Sequence, residues 1–141
     1  MESLYRKSFT VHGLDFERAG EVSTQIKQLL KGLGLPSDVV RRVSIATFEA
    51  EMNVVIHAQE GTVDLDLTTT EIVISVSDRG PGIPDIALAM QEGYSTASDE
   101  MREMGFGAGM GLPNIKKNSD RLVIESHVGV GTTLTITIHH E

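Results

Sequence analysis

Three polar side chains recur at regular intervals in an otherwise apolar stretch of the sequence. Glu49, Asn53 and His57 stand at positions i, i+4 and i+8, and successive members lie about 40° apart around a helix. A carboxylate, an amide and an imidazole on one stripe of an apolar helix are costly to bury unless partners satisfy them. The stripe is therefore either exposed to solvent or part of a site whose ligand supplies those partners, and the spacing alone leaves both interpretations open.

A second segment joins a carboxylate to two glycines. Asp78 follows a predicted strand, and Gly80 and Gly82 come directly after it along the chain. Glycine lets the backbone approach a ligand closely, while the carboxylate of Asp78 would point into the same space. Because Asp-x-Gly is also common in ordinary turns, the segment is either a turn or a ligand-binding loop.

The third segment is a loop with a glycine at every second position, directly before a predicted helix. Its glycines are Gly105, Gly107, Gly109 and Gly111. Such a loop can turn several amide N–H groups inward, and the following helix adds its positive N-terminal end, which together predict a phosphate cradle. The spacing matches neither the P-loop nor the dinucleotide-binding turn. A flexible structural loop is the alternative.

The elements predicted around these segments belong to one α+β layer. Their order is β-α-α-β-β-α-loop-α-β-β, with strands at 2–12, 62–67, 72–76, 122–126 and 132–139 and helices at 15–32, 37–58, 85–90 and 111–119. Strands that are adjacent in sequence favour a mixed, mostly antiparallel sheet over a doubly wound parallel one. We expect one domain over residues 1–141, because the sequence shows no linker, internal repeat or low-complexity stretch.

The composition excludes several classes of function. The chain has 141 residues, 12 Lys and Arg against 20 Asp and Glu, a net charge of −8 and no Cys. An acidic surface argues against partners such as nucleic acid or anionic membranes, and the missing cysteines exclude disulfides, thiol nucleophiles and Cys-ligated zinc. No segment approaches the ~20 apolar residues of a membrane helix. The N-terminus also lacks the apolar core of a signal peptide, so we expect a cytoplasmic protein.

Taken together, the three segments resemble the motifs of the GHKL ATPases, the family of gyrase, heat-shock chaperone, histidine kinase and MutL ATPase domains. The matching motifs are an N box at residues 49–58, a first glycine box at 78–82, a glycine-bearing lid ending at 105–111 and a closing Gly131-Thr132. Their order and separations agree over nearly the whole chain. The resemblance implies the Bergerat fold, a two-layer sandwich with helices on one face of the sheet and a flexible ATP lid at about 91–110.

The same resemblance implies ATP and Mg²⁺ as cofactors and assigns roles to residues. Asn53 would hold Mg²⁺, Asp78 would accept a hydrogen bond from the adenine amine, and Glu49 would be the catalytic base. The nucleotide-binding residues that it implies are Asn53, Asp78, Gly80, Gly82, Gly105, Gly107, Gly109, Gly111 and Thr132. Among them, Thr132 would complete adenine recognition and the lid glycines would surround the β- and γ-phosphates.

Within the family, residues 84–97 and 104–117 resemble the small anti-sigma and switch kinases of bacteria, most closely the RsbT type. That subgroup implies a kinase that phosphorylates a Ser or Thr of a STAS-domain antagonist in stress signalling and afterwards regulates a metal-dependent protein phosphatase. The first alternative is an anti-sigma factor that sequesters a sigma subunit, although the Glu-Met-Asn-Val-Val form of the N box departs from the Thr-Asn-Ala form of those relatives. The second is the catalytic domain of a histidine kinase, which the short segment before the first helix argues against.

Overall fold

A computed structural model describes residues 3–91 and 111–140 of the chain. Five strands and four helices lie within these residues. In chain order they are β1 Tyr5–His12, α1 Glu21–Gly32, α2 Ser37–His57, β2 Glu60–Leu67, β3 Glu71–Arg79, α3 Ile86–Ala89, α4 Gly111–Asn118, β4 Arg121–His127 and β5 Gly131–His139. The order of elements agrees with the predicted one.

The strands form a single sheet in the order β1-β2-β3-β5-β4, and all four neighbouring pairs are antiparallel. One row of side chains crosses the whole sheet in register and consists of Phe9, Val63, Val76, Leu134 and Ile124. The first four are buried and the last is partly buried. Because side chains alternate between faces, this row defines the inner face. The prediction of a mostly antiparallel sheet is confirmed.

The inner face packs against α2, which lies between α1 and α4. Val43, Ala46 and Ala50 of α2 are at most 1% exposed, and their spacing of three and four residues turns one side of the helix toward the sheet. On the outer face, Thr62 and Ser77 are exposed to solvent. The helices therefore cover one face of the sheet, as expected. None of the described helices has both the length and the apolar character needed to cross a membrane.

The start of α1 differs from the prediction, which began the helix at residue 15. Gly20 has a left-handed conformation with φ 94°, and the helix begins at the next residue, Glu21. The carboxylate of Glu51, which is 1% exposed, accepts hydrogen bonds from N–H groups of Gly20 and the first turn at 3.0 to 3.3 Å. These N–H groups lack partners inside a helix. A side chain from α2 therefore fixes where α1 begins.

The strand β3 is longer than predicted and includes Asp78. The sequence pattern ended the strand at residue 76, but Asp78 pairs with Gly61 of β2 in the ladder. Asp78 thus lies in the second-to-last position of β3 instead of in the turn after it. The predicted lid at 91–110 falls outside the described residues apart from Gln91.

Candidate active site

Asp78 and Thr132 are joined across the middle of the sheet. The Oδ1 atom of Asp78 accepts the backbone N–H of Thr132 at 3.1 Å. Its second carboxylate oxygen accepts no hydrogen bond from residues 3–91 or 111–140. Burial raises the pKa of Asp78, and the hydrogen bond from Thr132 opposes that rise. The result is a partly buried carboxylate with one oxygen available to a ligand.

The glycines around Asp78 are required by close backbone packing. A Cβ at Gly131 would lie 2.0 Å from the carbonyl oxygen of Asp78, and one at Gly80 would lie 3.1 Å from Cα of Ala58. Gly82 has φ 76°, and a Cβ there would lie 2.5 Å from the carbonyl oxygen of His127. These contacts bring the segment after β3 against the end of α2 and the end of β4. The tight turn thus sets the position of Asp78 relative to α2.

Ser126 connects this segment to Thr132, and the sequence analysis did not single it out. Its Oγ accepts the backbone N–H of Ile83 at 2.7 Å and lies 2.8 Å from Oγ1 of Thr132. Ser126 and Thr132 face each other in the β4–β5 ladder. Pairing the two predicted C-terminal strands around their glycine-containing turn would have placed the two hydroxyl residues opposite each other.

The polar stripe of α2 meets the first residue of α4. A Cβ at Gly111 would lie 3.2 Å from Oδ1 of Asn53 and 3.5 Å from Oε2 of Glu49. The side chain of Asn53 forms no hydrogen bond with any residue that the structure describes. The start of α4, where the first N–H groups have no acceptor within the helix and the helix dipole is positive, therefore lies beside an amide and a carboxylate. The other predicted lid glycines, Gly105, Gly107 and Gly109, fall outside the described residues.

Glu49 has a partner in α4 that the sequence analysis missed. Burial raises the pKa of Glu49, and a hydrogen bond from the side chain of Asn114 partly offsets that rise. Asn114 lies three residues after Gly111, and this spacing of one turn is the signal that could have identified it. His57, the last member of the stripe, is exposed at the end of α2, although partial shielding from water lowers its pKa. The stripe is therefore continuous from Glu49 to Asn53, and His57 lies beyond it.

The helix α2 sets the distances between the two halves of the site. Gly80 lies against Ala58 at its end, and Oδ1 of Asp78 lies beside Gly80. A rise of 1.5 Å per residue places Asn53 about 7.5 Å before Ala58 along the axis and Glu49 about 6 Å further. A carboxylate with an available oxygen, an amide and a second carboxylate thus follow one another along one line. Such a line suits an elongated ligand with a hydrogen-bonding end and a charged end.

The fold and this arrangement define a class of protein, and comparison with known proteins identifies it. The sequence model of one protein family, the histidine kinase-like ATPase domain, matches residues 14–138 of this chain. The chain therefore belongs to that family of ATPase domains. The expected resemblance to the GHKL ATPases is confirmed.

Among its relatives, the chain is 30% identical over 112 residues to the serine/threonine-protein kinase RsbT of Bacillus subtilis. The aligned region covers 77% of this chain and 78% of that protein. It is 35% identical over 100 residues to an anti-sigma F factor of Caldanaerobacter subterraneus subsp. tengcongensis, with 67% and 66% covered. A solved structure of the RsbU and RsbW domains of Rv1364c from Mycobacterium tuberculosis matches with a TM-score of 0.61 at 19% identity. That match covers 94% of this chain but 32% of the other, and it supports the fold alone.

Proposed function

We propose that this protein is a serine/threonine-protein kinase that transfers the γ-phosphate of ATP to a Ser or Thr of a STAS-domain antagonist. Membership of the ATPase family and the similarity to RsbT support the proposal. The observation that carries it is an order along α2. The side chain of Asp78 lies near the end of the helix, followed by Asn53 and then Glu49, which is the order of a purine, its phosphates and the acceptor. The role in the cell would be a partner switch in bacterial stress signalling.

At the purine end, the available oxygen of Asp78 would accept a hydrogen bond from the exocyclic amine of adenine. A carboxylate suits this contact because it accepts hydrogen bonds and donates none. Thr132 would take part from the neighbouring strand, and Gly80 and Gly82 would border the base. The backbone bond from Thr132 N–H holds the Asp78 side chain in one orientation, so little ordering is needed when the nucleotide arrives.

At the phosphate end, we propose that Asn53 holds Mg²⁺ through its side-chain oxygen. Mg²⁺ is a hard cation that prefers oxygen ligands and is often bound by one or two protein groups together with substrate phosphates. An amide without a partner in the described structure fits this role. Within the described ranges no three His, Cys, Asp or Glu side chains gather as a metal site. When bound, the ion would offset the charge of the phosphates that Gly105, Gly107, Gly109 and Gly111 would surround.

Glu49 would be the catalytic base. The acceptor hydroxyl oxygen would bond to the γ-phosphorus, its proton would pass to Glu49, and the bond to the β,γ-bridging oxygen would break to release ADP. A raised pKa, which the side chain of Asn114 partly offsets, makes Glu49 a stronger base than an exposed glutamate. Phosphoryl transfer depends mainly on positioning and charge stabilisation, so the base would supply one part of the rate.

We further propose that residues 1–141 act as one ATP-binding kinase domain with a lid at about 91–110. The cytoplasm, which supplies ATP, is the compartment that we propose. After phosphorylating its antagonist, the kinase would be released to regulate a metal-dependent protein phosphatase. The similarity to the serine/threonine-protein kinase RsbT supports the phosphorylation step of this sequence.

An anti-sigma factor is the second candidate function, and the 35% identity to an anti-sigma F factor favours it. Both functions would use the same nucleotide site, so the two proposals can be distinguished only by identifying the partner protein. The test is to incubate the full chain with Mg²⁺, radiolabelled ATP and a candidate STAS protein, with mass spectrometry of that protein and a parallel pull-down with sigma subunits. Phosphate on a Ser or Thr of the STAS protein is expected. Retention of a sigma subunit, with or without such phosphate, would favour the second function.

A further inference from the structure

We infer that Ser126 is a positioning residue that selects adenine by orienting the hydroxyl group of Thr132. The inference rests on the proposed ATP site and adds a residue that acts through another side chain. Ser126 lies opposite Thr132 in the ladder between β4 and β5. It also holds the segment after the glycine box through the N–H of Ile83. One side chain therefore links two parts of the purine end.

Three hydrogen-bond contacts converge on the hydroxyl group of Ser126. The N–H of Ile83 donates to Oγ at 2.7 Å and uses one acceptor position. The Ser126 proton then has two possible acceptors, Oγ1 of Thr132 at 2.8 Å and the carbonyl oxygen of Gly131 at 3.3 Å. Hydroxyl hydrogen bonds are most favourable at about 2.7–2.8 Å. Either hydroxyl can donate in the 2.8 Å contact, and we take Ser126 as the donor because this is the shorter of its two contacts.

This direction leaves the proton of the Thr132 hydroxyl available to a ligand. A threonine hydroxyl has one proton and two acceptor positions, and the bond from Ser126 occupies an acceptor position. The backbone N–H of Thr132 already donates to Asp78. Next to one another, the site thus presents a carboxylate oxygen that accepts and a hydroxyl that donates.

That pair matches adenine and opposes guanine. Adenine carries a donor amine at N6 and an acceptor at N1, which suit Asp78 and Thr132 in that order. Guanine carries an acceptor at O6 and a donor at N1, so its O6 would face the carboxylate and its N1–H would face the Thr132 proton. A site built for one set of polar groups rejects the other strongly because buried groups are left unpaired.

The sheet provides a matched control for Ser126. Ser77 and Thr133 form a similar cross-strand pair, with their hydroxyl oxygens 3.1 Å apart. This pair joins β3 to β5 on the outer face of the sheet, where Ser77 is exposed. Ser77→Ala therefore removes the same chemical group from the same sheet, on the side away from the site.

The experiment is calorimetric titration of the full chain with Mg·ATP and with Mg·1-deaza-ATP, in which a C–H replaces the N1 acceptor. We expect Ser126→Ala to weaken ATP binding about three- to tenfold, the effect of one neutral hydrogen bond, and to leave the affinity for 1-deaza-ATP unchanged. Ser77→Ala should change neither affinity. Ser126→Thr, which keeps a hydroxyl, should restore the preference for ATP over 1-deaza-ATP.

Two results would overturn the inference. Unchanged ATP affinity in Ser126→Ala would show that its hydroxyl does not act on the site, and an equal loss for ATP and 1-deaza-ATP would show a structural role alone. If Ser126→Ala does not fold, the Thr132→Val variant is titrated in its place. The inference then requires that this variant bind ATP and 1-deaza-ATP with equal affinity. Failure of the unaltered protein to bind ATP would instead count against the proposed function, so the two hypotheses fail separately.

Discussion

The backbone of Gly111 lies directly against the side chain of Asn53. A Cβ at position 111 would lie 3.2 Å from Oδ1 of Asn53 and 3.5 Å from Oε2 of Glu49. The contact with Asn53 is tighter than carbon normally makes with oxygen, so a methyl group would displace the side chain of Asn53. Glycine at the start of α4 therefore keeps the amide of Asn53 open on the side that faces the helix N-terminus.

We expect Gly111→Ala to weaken Mg·ATP binding about tenfold, which corresponds to ~1.4 kcal/mol, because the new methyl group moves or covers Asn53. Calorimetric titration measures the affinity. Gly32→Ala is the matched control, since Gly32 is the last residue of α1 and a Cβ there would meet no atom within 4 Å. Equal affinities for the Gly111→Ala variant and the unaltered protein would contradict the placement of Mg²⁺ at Asn53.

At the purine end, Asp78→Asn should weaken ATP binding by about ten- to a hundredfold, the effect of losing a hydrogen bond to a charged group. Asn can still accept the N–H of Thr132 through one oxygen, but it presents a donor where the adenine amine needs an acceptor. Asp64→Asn, an exposed substitution on β2 of the same sheet, serves as the control. An Asp78→Asn protein with full ATP affinity would remove the adenine assignment.

Local patterns in the sequence predicted α2 and its polar stripe, since helical periodicity depends on residues only a few positions apart. The pairing of Asp78 with Thr132 was beyond such patterns. It arises because β3 and β5, which are not consecutive, are neighbours in the sheet. The two residues are 54 positions apart, and the sequence offered no local signal for that register.

The predicted start of α1 was wrong for a similar reason. Apolar spacing continues back to Phe16, and only tertiary structure shows that Glu51, 31 positions after Gly20, accepts the N–H groups that begin the helix. Asn114 and Ser126 were missed because each acts through a side chain on another element. Sequence patterns therefore predicted residues whose types could carry chemistry, but not the residues that contact them from other elements.

Glu49→Gln should keep ATP binding and lose phosphoryl transfer to the STAS protein by about a hundredfold or more, within the range for general base catalysis. Glutamine has a similar shape and can still pair with Asn114, so the site should remain intact. Transfer is measured with radiolabelled ATP, and binding by calorimetry on the same preparation. Full transfer activity in this variant would show that another group takes the proton.

The same substitution should also change stability in a pH-dependent way. Because burial raises the pKa of Glu49 above its usual value of 4.5, the folded protein binds this proton more tightly than the unfolded chain. Ionised Glu49 therefore lowers stability, and this cost grows as pH rises from about 4.5 through the raised pKa. We expect Glu49→Gln to have a higher Tm than the unaltered protein near pH 7.5 and an equal Tm below about pH 4.5. A Tm difference that is constant over this range would contradict the raised pKa.

Replacing Glu51 should have the opposite effect on stability from replacing Glu49, although the two residues are only two positions apart. Its carboxylate is 1% exposed and accepts N–H groups of Gly20, Val22 and Ser23, and a negative charge at a helix N-terminus is favourable. Glu51→Ala should lower the free energy of unfolding by about 3 kcal/mol, since it leaves buried N–H groups without partners. Urea denaturation measures this change. A loss below about 1 kcal/mol would mean that water replaces the carboxylate at the start of α1.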